Sequence, residues 1–338
     1  MIKKILMILA TIFVLLITLG GYGVYRFLNP FGKLVNEELS DSYFYTRDGE
    51  GIVFSPMGNW FSLGKHDMKV DMATFQVLGR DYAKDKEYAY FKSKIIDFGI
   101  DVASFRVKAN YVPMDKNHVY ILTDNYYHIG EKGEGFKVFE DADPETYEQL
   151  NYDFAKDKNF IFRNEEKFTK VDHESFAVIS DQFCKDINGV YLVRYQQPLY
   201  KIDANISEAV ALVPSYIRDD KYVYIHTKDR GVETKDMDTI IRIPFKKPEE
   251  IQFYNDNTIV KIDNSIYYQG IRIEEADALT FEEVGYGYSK DASFVFFLGQ
   301  IVEGADAKTF KYNDNNYTFS DKKHTYEGGK VVGKSKKW

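Results

Sequence analysis

MDKNHVYI, residues 114–121, and KDKNFIF, residues 156–162, are near copies of one another. Each sets an Asp-Lys pair before a run that alternates apolar and polar side chains. An aspartate can bend the chain by accepting hydrogen bonds from backbone amides two and three residues on, and an alternating run suits a strand with one buried face. Similar runs follow in YAYF at Tyr88, HVYI at His118 and YVYI at Tyr222. A chain that keeps returning to one turn-and-strand phrase reads as a tandem β repeat.

A second phrase, Asp-x-x-Ser/Thr-aromatic, occurs as DMATF at Asp71, DVASF at Asp101, DPETY at Asp143, DHESF at Asp172, DALTF at Asp277 and DAKTF at Asp306. Looser copies are DMDTI at Asp236 and DANIS at Asp203. Intervals between the eight are 30, 42, 29, 31, 33, 41 and 29 residues, so the long gaps predict single units carrying surface insertions. Asp85, Asp115, Asp157, Asp186 and Asp291 each follow their partner by fourteen residues, which puts both phrases in one register. Weaker forms of this marker stand at Asp219 or Asp220, Asp256 and Asp321, and a divergent opening unit surrounds Asp48.

Both markers read as architecture. In the first, the carboxylate accepts from amides as in an Asx turn or a helix N-cap, while the aromatic enters the core. In Lys-Asp-Lys-x-x-Val-Tyr the Asp holds a reverse turn, Lys stays in water and apolar residues enter a strand. A further strand follows a glycine-bearing turn in YQGIRI at Tyr268 and FLGQIV at Phe297. The expected fold class is therefore all-β: tandem antiparallel meanders of about 30–40 residues. If DMATFQVL supplies a strand, each unit has four and can repeat radially, propeller-like; if it makes one helical turn, three strands stack as a solenoid.

These residues resemble the DKNYY family, a repeat family named for this pattern. Asp157-Lys158-Asn159-Phe160 and Asp115-Lys116-Asn117-His118 match it most closely. Asp85-Lys86-Glu87-Tyr88 departs at its third position, and Asp186, Asp256 and Asp291 lack the following Lys. The resemblance covers roughly residues 70–330. It implies an uncharacterised bacterial group, with no activity to carry over to any residue.

Composition agrees with a β reading, because 27 Tyr and 26 Phe suit half-buried pleated surfaces better than helix faces. A net charge of −8 argues against a nucleic-acid partner, which needs clustered Lys and Arg. One cysteine, Cys184, excludes an internal disulfide and a multi-thiolate zinc site. After Lys3 and Lys4, Ile5 to Tyr25 carry no charge, a run that as a helix spans roughly 30 Å of hydrocarbon. The uncleaved-anchor reading is favoured over a cleaved signal peptide, since no Ala-x-Ala follows and Tyr22 and Tyr25 suit an interfacial belt. Lys3 and Lys4 then place the start in the cytoplasm and the rest outside. The expected organisation is a transmembrane anchor over 1–28, a juxtamembrane linker over 29–42, a β-repeat ectodomain over 43–331 and a basic tail over 332–338.

Catalytic and metal signals are poor. His66, His118, His128, His173, His226 and His324 follow no metal spacing, and His118 with His128 flank one hairpin. Cys184 reads as a buried, inert thiol. Acidic stretches at Glu140, Asn255 and Asn313 lack the spacing that wraps oxygens around calcium. A catalytic carboxylate pair should be singular, whereas these acids recur once per unit. No catalytic residue, metal or cofactor is therefore predicted. The expected function is a non-enzymatic platform at the cell envelope that binds a protein or glycan through exposed aromatics. Ligand contacts are expected in the insertions at Asp124–Asp141 and Lys228–Glu250, since departures from the repeat are not needed for stacking; the alternative function is an envelope hydrolase with catalytic acids in the loop insertions.

Overall fold

The computed structural model describes residues 20–21, 23–96, 99–109, 111–123, 135–227, 239–314 and 317–335. Its described residues form nine antiparallel sheets, each a simple meander with strands in chain order. The first has three strands, Tyr43–Tyr45, Ile52–Phe54 and His66–Met68. The second has four: Gln76–Gly79, Tyr82–Lys84, Ala89–Phe91 and Lys94–Ile95. The third to fifth run from Arg106 to Phe139, Glu148 to Lys167 and Ala177 to Ile202. The sixth to ninth run from Val210 to Pro244, Gln252 to Arg272, Glu282 to Ile301 and Lys311 to Lys334.

Strand parity is settled by a division of labour inside the phrase. In DMATFQVL the residues Met72–Thr74 make a turn and Gln76–Gly79 make a strand, so one stretch provides both the reversal and the fourth strand. Turn-forming Asp and Thr come first; Val and Leu, which prefer a pleated surface, follow. In the second, fourth, seventh, eighth and ninth sheets strands three and four are joined tightly. In the eighth sheet Phe297 pairs with Gln300 across Leu298 and Gly299, at φ 48° and 78°. A two-residue hairpin needs such angles, and a Cβ on Gly299 would come within 2.6 Å of Tyr268 in the seventh sheet.

The chain groups into two compact halves, one of residues up to 150 with 154–167, the other of 151–153 with 168 onward. In the first half successive sheets share apolar layers. Tyr82, Ala89 and Phe91 of the second sheet pack with Phe105, Tyr120 and Phe136 of the third unit, and rings of Phe91 and Phe136 meet edge-on at 5.6 Å. In the second half Phe183, Val190 and Leu192 pack with Ala209, Ile217 and Tyr224, and Tyr288 with Phe310 and Phe319. Each sheet is too small to bury its faces alone, so neighbours supply the cover.

Three expected boundaries meet the structure directly. Residues 1–19 and 22 of the predicted anchor lie outside the described residues; residues 23–28 are helical, and among the described residues no helix is long and apolar enough to cross a membrane. Within the linker, the Gly32 and Val35 amides donate to the Tyr45 and Tyr43 carbonyls at 2.9 Å, so this stretch edges the first sheet. Lys330–Lys334 form the last strand of the ninth sheet, so Val332–Lys334 are sheet residues; residues 336–338 lie outside the description.

Candidate functional site

The third unit shows what the recurring aspartates do. Asp115 is fully buried between the second and third strands. Its Oδ1 accepts the Asn117 and His118 amides at 2.7 and 2.9 Å. Its Oδ2 accepts the Asp101 amide at 2.9 Å, fourteen residues back, and the Tyr120 hydroxyl at 2.6 Å. Asp101 in turn accepts the Ser104 amide and hydroxyl, both at 3.0 Å, and the Ser104 hydroxyl accepts the Lys116 amide at 3.0 Å. One carboxylate thus ties its own turn to the turn that opens the unit, which is why the spacing is so constant.

The clamp recurs with local losses. Asp85, Asp157, Asp186 and Asp291 accept the amides of Asp71, Asp143, Asp172 and Asp277 at 2.8–2.9 Å. Asp321 does so for Asp306, here at a spacing of fifteen. A Tyr hydroxyl joins at Tyr90, Tyr191, Tyr224 and Tyr326, whereas Phe162 and Phe296 leave that place without one. In the sixth unit the partner of Asp219 is Asn205, not Asp203 as the sequence reading had it; Asp203 is exposed and pairs with Arg242 at 3.1 Å. Asp236 lies outside the described residues, and in sequence it falls between the third and fourth strands of the sixth sheet. The seventh unit is closed by Asp263, which accepts the Lys246 amide at 3.2 Å, whereas Asp256 sits between the first and second strands. Asp48 accepts from Thr46 and Glu50 in the first hairpin of the opening sheet.

Electrostatics follow from these contacts. The Lys116 ammonium, with the Ser104 amide and hydroxyl, holds the Asp101 carboxyl down at about 2, and Lys158 with Thr146 does the same for Asp143. Burial pushes Asp115 up, but the Tyr120 hydroxyl and three amides outweigh it, and the carboxyl stays below its ordinary range. Asp85, Asp186, Asp219 and Asp321 are lowered in the same way. Burial, then the neighbouring carboxylate, pushes Tyr191 up to about 12. These acids are held ionised by the structure around them, which suits an anchor and not a proton donor.

Sequence reasoning missed one group. A Lys that precedes a clamp aspartate was expected in water, but Lys84, Lys185 and Lys290 reach into the next unit. Lys84 Nζ donates to the carbonyls of Val102, Ala103 and Phe105 at 3.2, 3.0 and 2.9 Å. Lys185 donates to Ile206 and Ala209, and Lys290 to Ala307 and Phe310. The carbonyls at the end of a helix-like turn form a partial negative charge, and burial lowers the Lys84 ammonium's own pKa. The signal was available: Lys84, Lys156, Lys185 and Lys290 all stand immediately before the marker. The second Lys behaves as expected, with Lys86, Lys116 and Lys158 pairing to the opening aspartates at 2.6–2.7 Å.

Other candidates are scattered. Cys184 is buried in the middle of a second strand, where other units have Ala83, Ala155 or Ser289 opposite a large aromatic. His128, with residues 124–134 of the first long insertion and 228–238 of the second, lies outside the described residues. Among the described residues no three His, Cys, Asp or Glu gather as a metal group. Exposed aromatics do gather at one kind of place, the loop between first and second strands, which carries Tyr111, Tyr152, Tyr286 and Tyr317. Tyr286 and Tyr317 are 75% and 80% exposed and adopt φ of 50° and 53°, rare for a bulky residue. The Tyr286 ring lies 5.2 Å from Tyr312, and their hydrogen bond pushes the Tyr312 phenol up to about 12.

Family matches cover residues 33–124, 99–228 and 126–330, together nearly the whole described repeat. The chain belongs to the DKNYY family. In this chain the Asp-Lys-Asn stretch of the third and fourth units is part of the clamp: Asp accepts, Lys pairs with the opening aspartate, and the aromatic strand follows. No curated protein and no solved structure matches the chain.

Proposed function

We propose that the protein is a non-enzymatic binding platform, held at the cell envelope by its N-terminal segment with the repeats on the non-cytoplasmic side. Four strands in eight of the nine described sheets support blade-like units. The ligand is a protein or glycan met by the hairpin-tip tyrosines, chiefly Tyr286 and Tyr317 beside Tyr312 in the second half. The observation that carries this reading is a contrast of use. The recurring acids are consumed in turn-closing hydrogen bonds, while these large rings are displayed in water on strained backbone, where they contribute little to folding. Exposed aromatic faces stack on the apolar face of a sugar ring or on a peptide side chain.

The test is binding of the full-length protein in detergent to cell-wall polysaccharide and to envelope protein extracts. Tyr286→Asn with Tyr317→Asn keeps residues that tolerate positive φ and should weaken binding by roughly tenfold. Wild-type binding by the double variant would remove the tyrosines from the ligand face.

A further inference from the structure

A second apolar surface stands at the start of the chain and takes no part in the repeats. Helical residues Gly23–Leu28 expose Val24, Tyr25, Phe27 and Leu28. Against them lies a protrusion between the second and third strands of the first sheet, with a 3-10 turn over Pro56–Gly58 and a single helical turn over Trp60–Leu63. Phe27 meets Trp60 edge-on at 4.8 Å and Phe61 at 6.4 Å, and the Arg47 guanidinium lies 5.5 Å from the Tyr25 ring centre. Met57, Phe61 and Leu63 still face solvent, Phe61 at 77%.

The helical turn is built deliberately: Asn59 caps it by accepting the Ser62 amide at 3.2 Å, and Gly64 at φ 80° ends it. Phe61 and Leu63 point outward from this turn while the half-buried Trp60 packs on Phe27, and apolar side chains so displayed gain nothing from water. It lies beside Leu28, where the uncharged run of Ile5–Tyr25 has just ended, and Arg26 and Lys65 flank it. Aromatic rings with nearby cations match the chemistry of the bilayer's headgroup layer.

We propose that Met57, Trp60, Phe61 and Leu63 enter the lipid headgroup layer beside the anchor, as a second membrane contact that sets the tilt of the first sheet. The inference rests on the anchor reading, so the experiment separates the two. The full chain carrying Trp338→Phe keeps Trp60 as its one tryptophan. Reconstituted into phosphatidylcholine vesicles, it should show blue-shifted emission and lose roughly half of it to lipids brominated near the headgroup. Phe61→Ser with Leu63→Ser, both at exposed positions, should cut that quenching about twofold while the chain stays resistant to carbonate extraction. Resistance to extraction with unquenched Trp60 would overturn the second contact and leave the anchor standing; this is also the outcome if residues 1–19 cover the patch. Extraction by carbonate with Trp60 still quenched would keep the contact and remove the anchor. Extraction without quenching would overturn both.

Discussion

The third and seventh sheets have the same meander and solve its central turn differently. In the third, Met114 and Val119 close a turn of four residues, and the Asn117 and His118 amides find their acceptor in the buried Asp115 carboxylate. In the seventh, Ile262 and Ser265 close a turn of only two residues, with Asp263 at φ 51°. The cores differ in step. Phe105, Tyr120 and Phe136 surround the third sheet, and the Tyr120 hydroxyl needs a polar partner in the interior. Ile259, Ile262 and Ile266, which carry no polar side-chain group, are buried in the seventh sheet's second and third strands. In the third sheet the clamp thus serves amides that its longer turn leaves without acceptors, whereas the seventh sheet's two-residue turn closes without one.

Acid should open that contrast furthest. Asp85, Asp101, Asp115 and Asp143 of the first half are all lowered in the folded state. Their contribution is complete above the ordinary value of 3.8 and disappears as pH falls through the folded values, near 2 for Asp101 and Asp143. Amide-exchange protection in the third sheet should drop within that window, ahead of the seventh; simultaneous loss would mean that the clamp does not distinguish them.

Removing single carboxylates comes next. Asp115→Ala leaves three amides and a hydroxyl without their acceptor and should cost about 3–5 kcal/mol, against about 1 kcal/mol for Asp263→Ala. Equal losses in urea titrations would contradict the account of the two turns. The smallest contrast lies between the two lysines of the motif. Lys84→Met gives up bonds to three carbonyls and should cost about 1.5 kcal/mol, whereas Lys116→Met gives up a solvent-screened surface ion pair and should leave the urea midpoint nearly unchanged. A reversed order would return Lys84 to the solvent, where the sequence reading had placed it.

How much could be read beforehand follows the range of each interaction. The Asp-x-x-Ser/Thr turn is local: Asp101 reaches Ser104, three residues on, so spacing alone reveals it. Asn205 was missed because its amide serves the clamp while a more conspicuous Asp203 stood two residues earlier. Asp263 was missed because its turn is shorter and breaks the register that located the others. The tyrosine tips were hidden among 27 Tyr, since a strand tyrosine such as Tyr120 and a tip tyrosine such as Tyr286 differ in burial and not in identity.

By itself the sequence determined the repeat, its register and the antiparallel meander, because Asx turns and alternating strands depend on neighbours a few residues apart. Only the tertiary structure decided that Lys84 leaves water for the next unit's carbonyls, and that Phe27 seats a helical turn with Trp60 and Phe61 at the chain's apolar end. Those partners lie eighteen or more residues away, and a contact across such a distance exists only once folding has brought the two segments together.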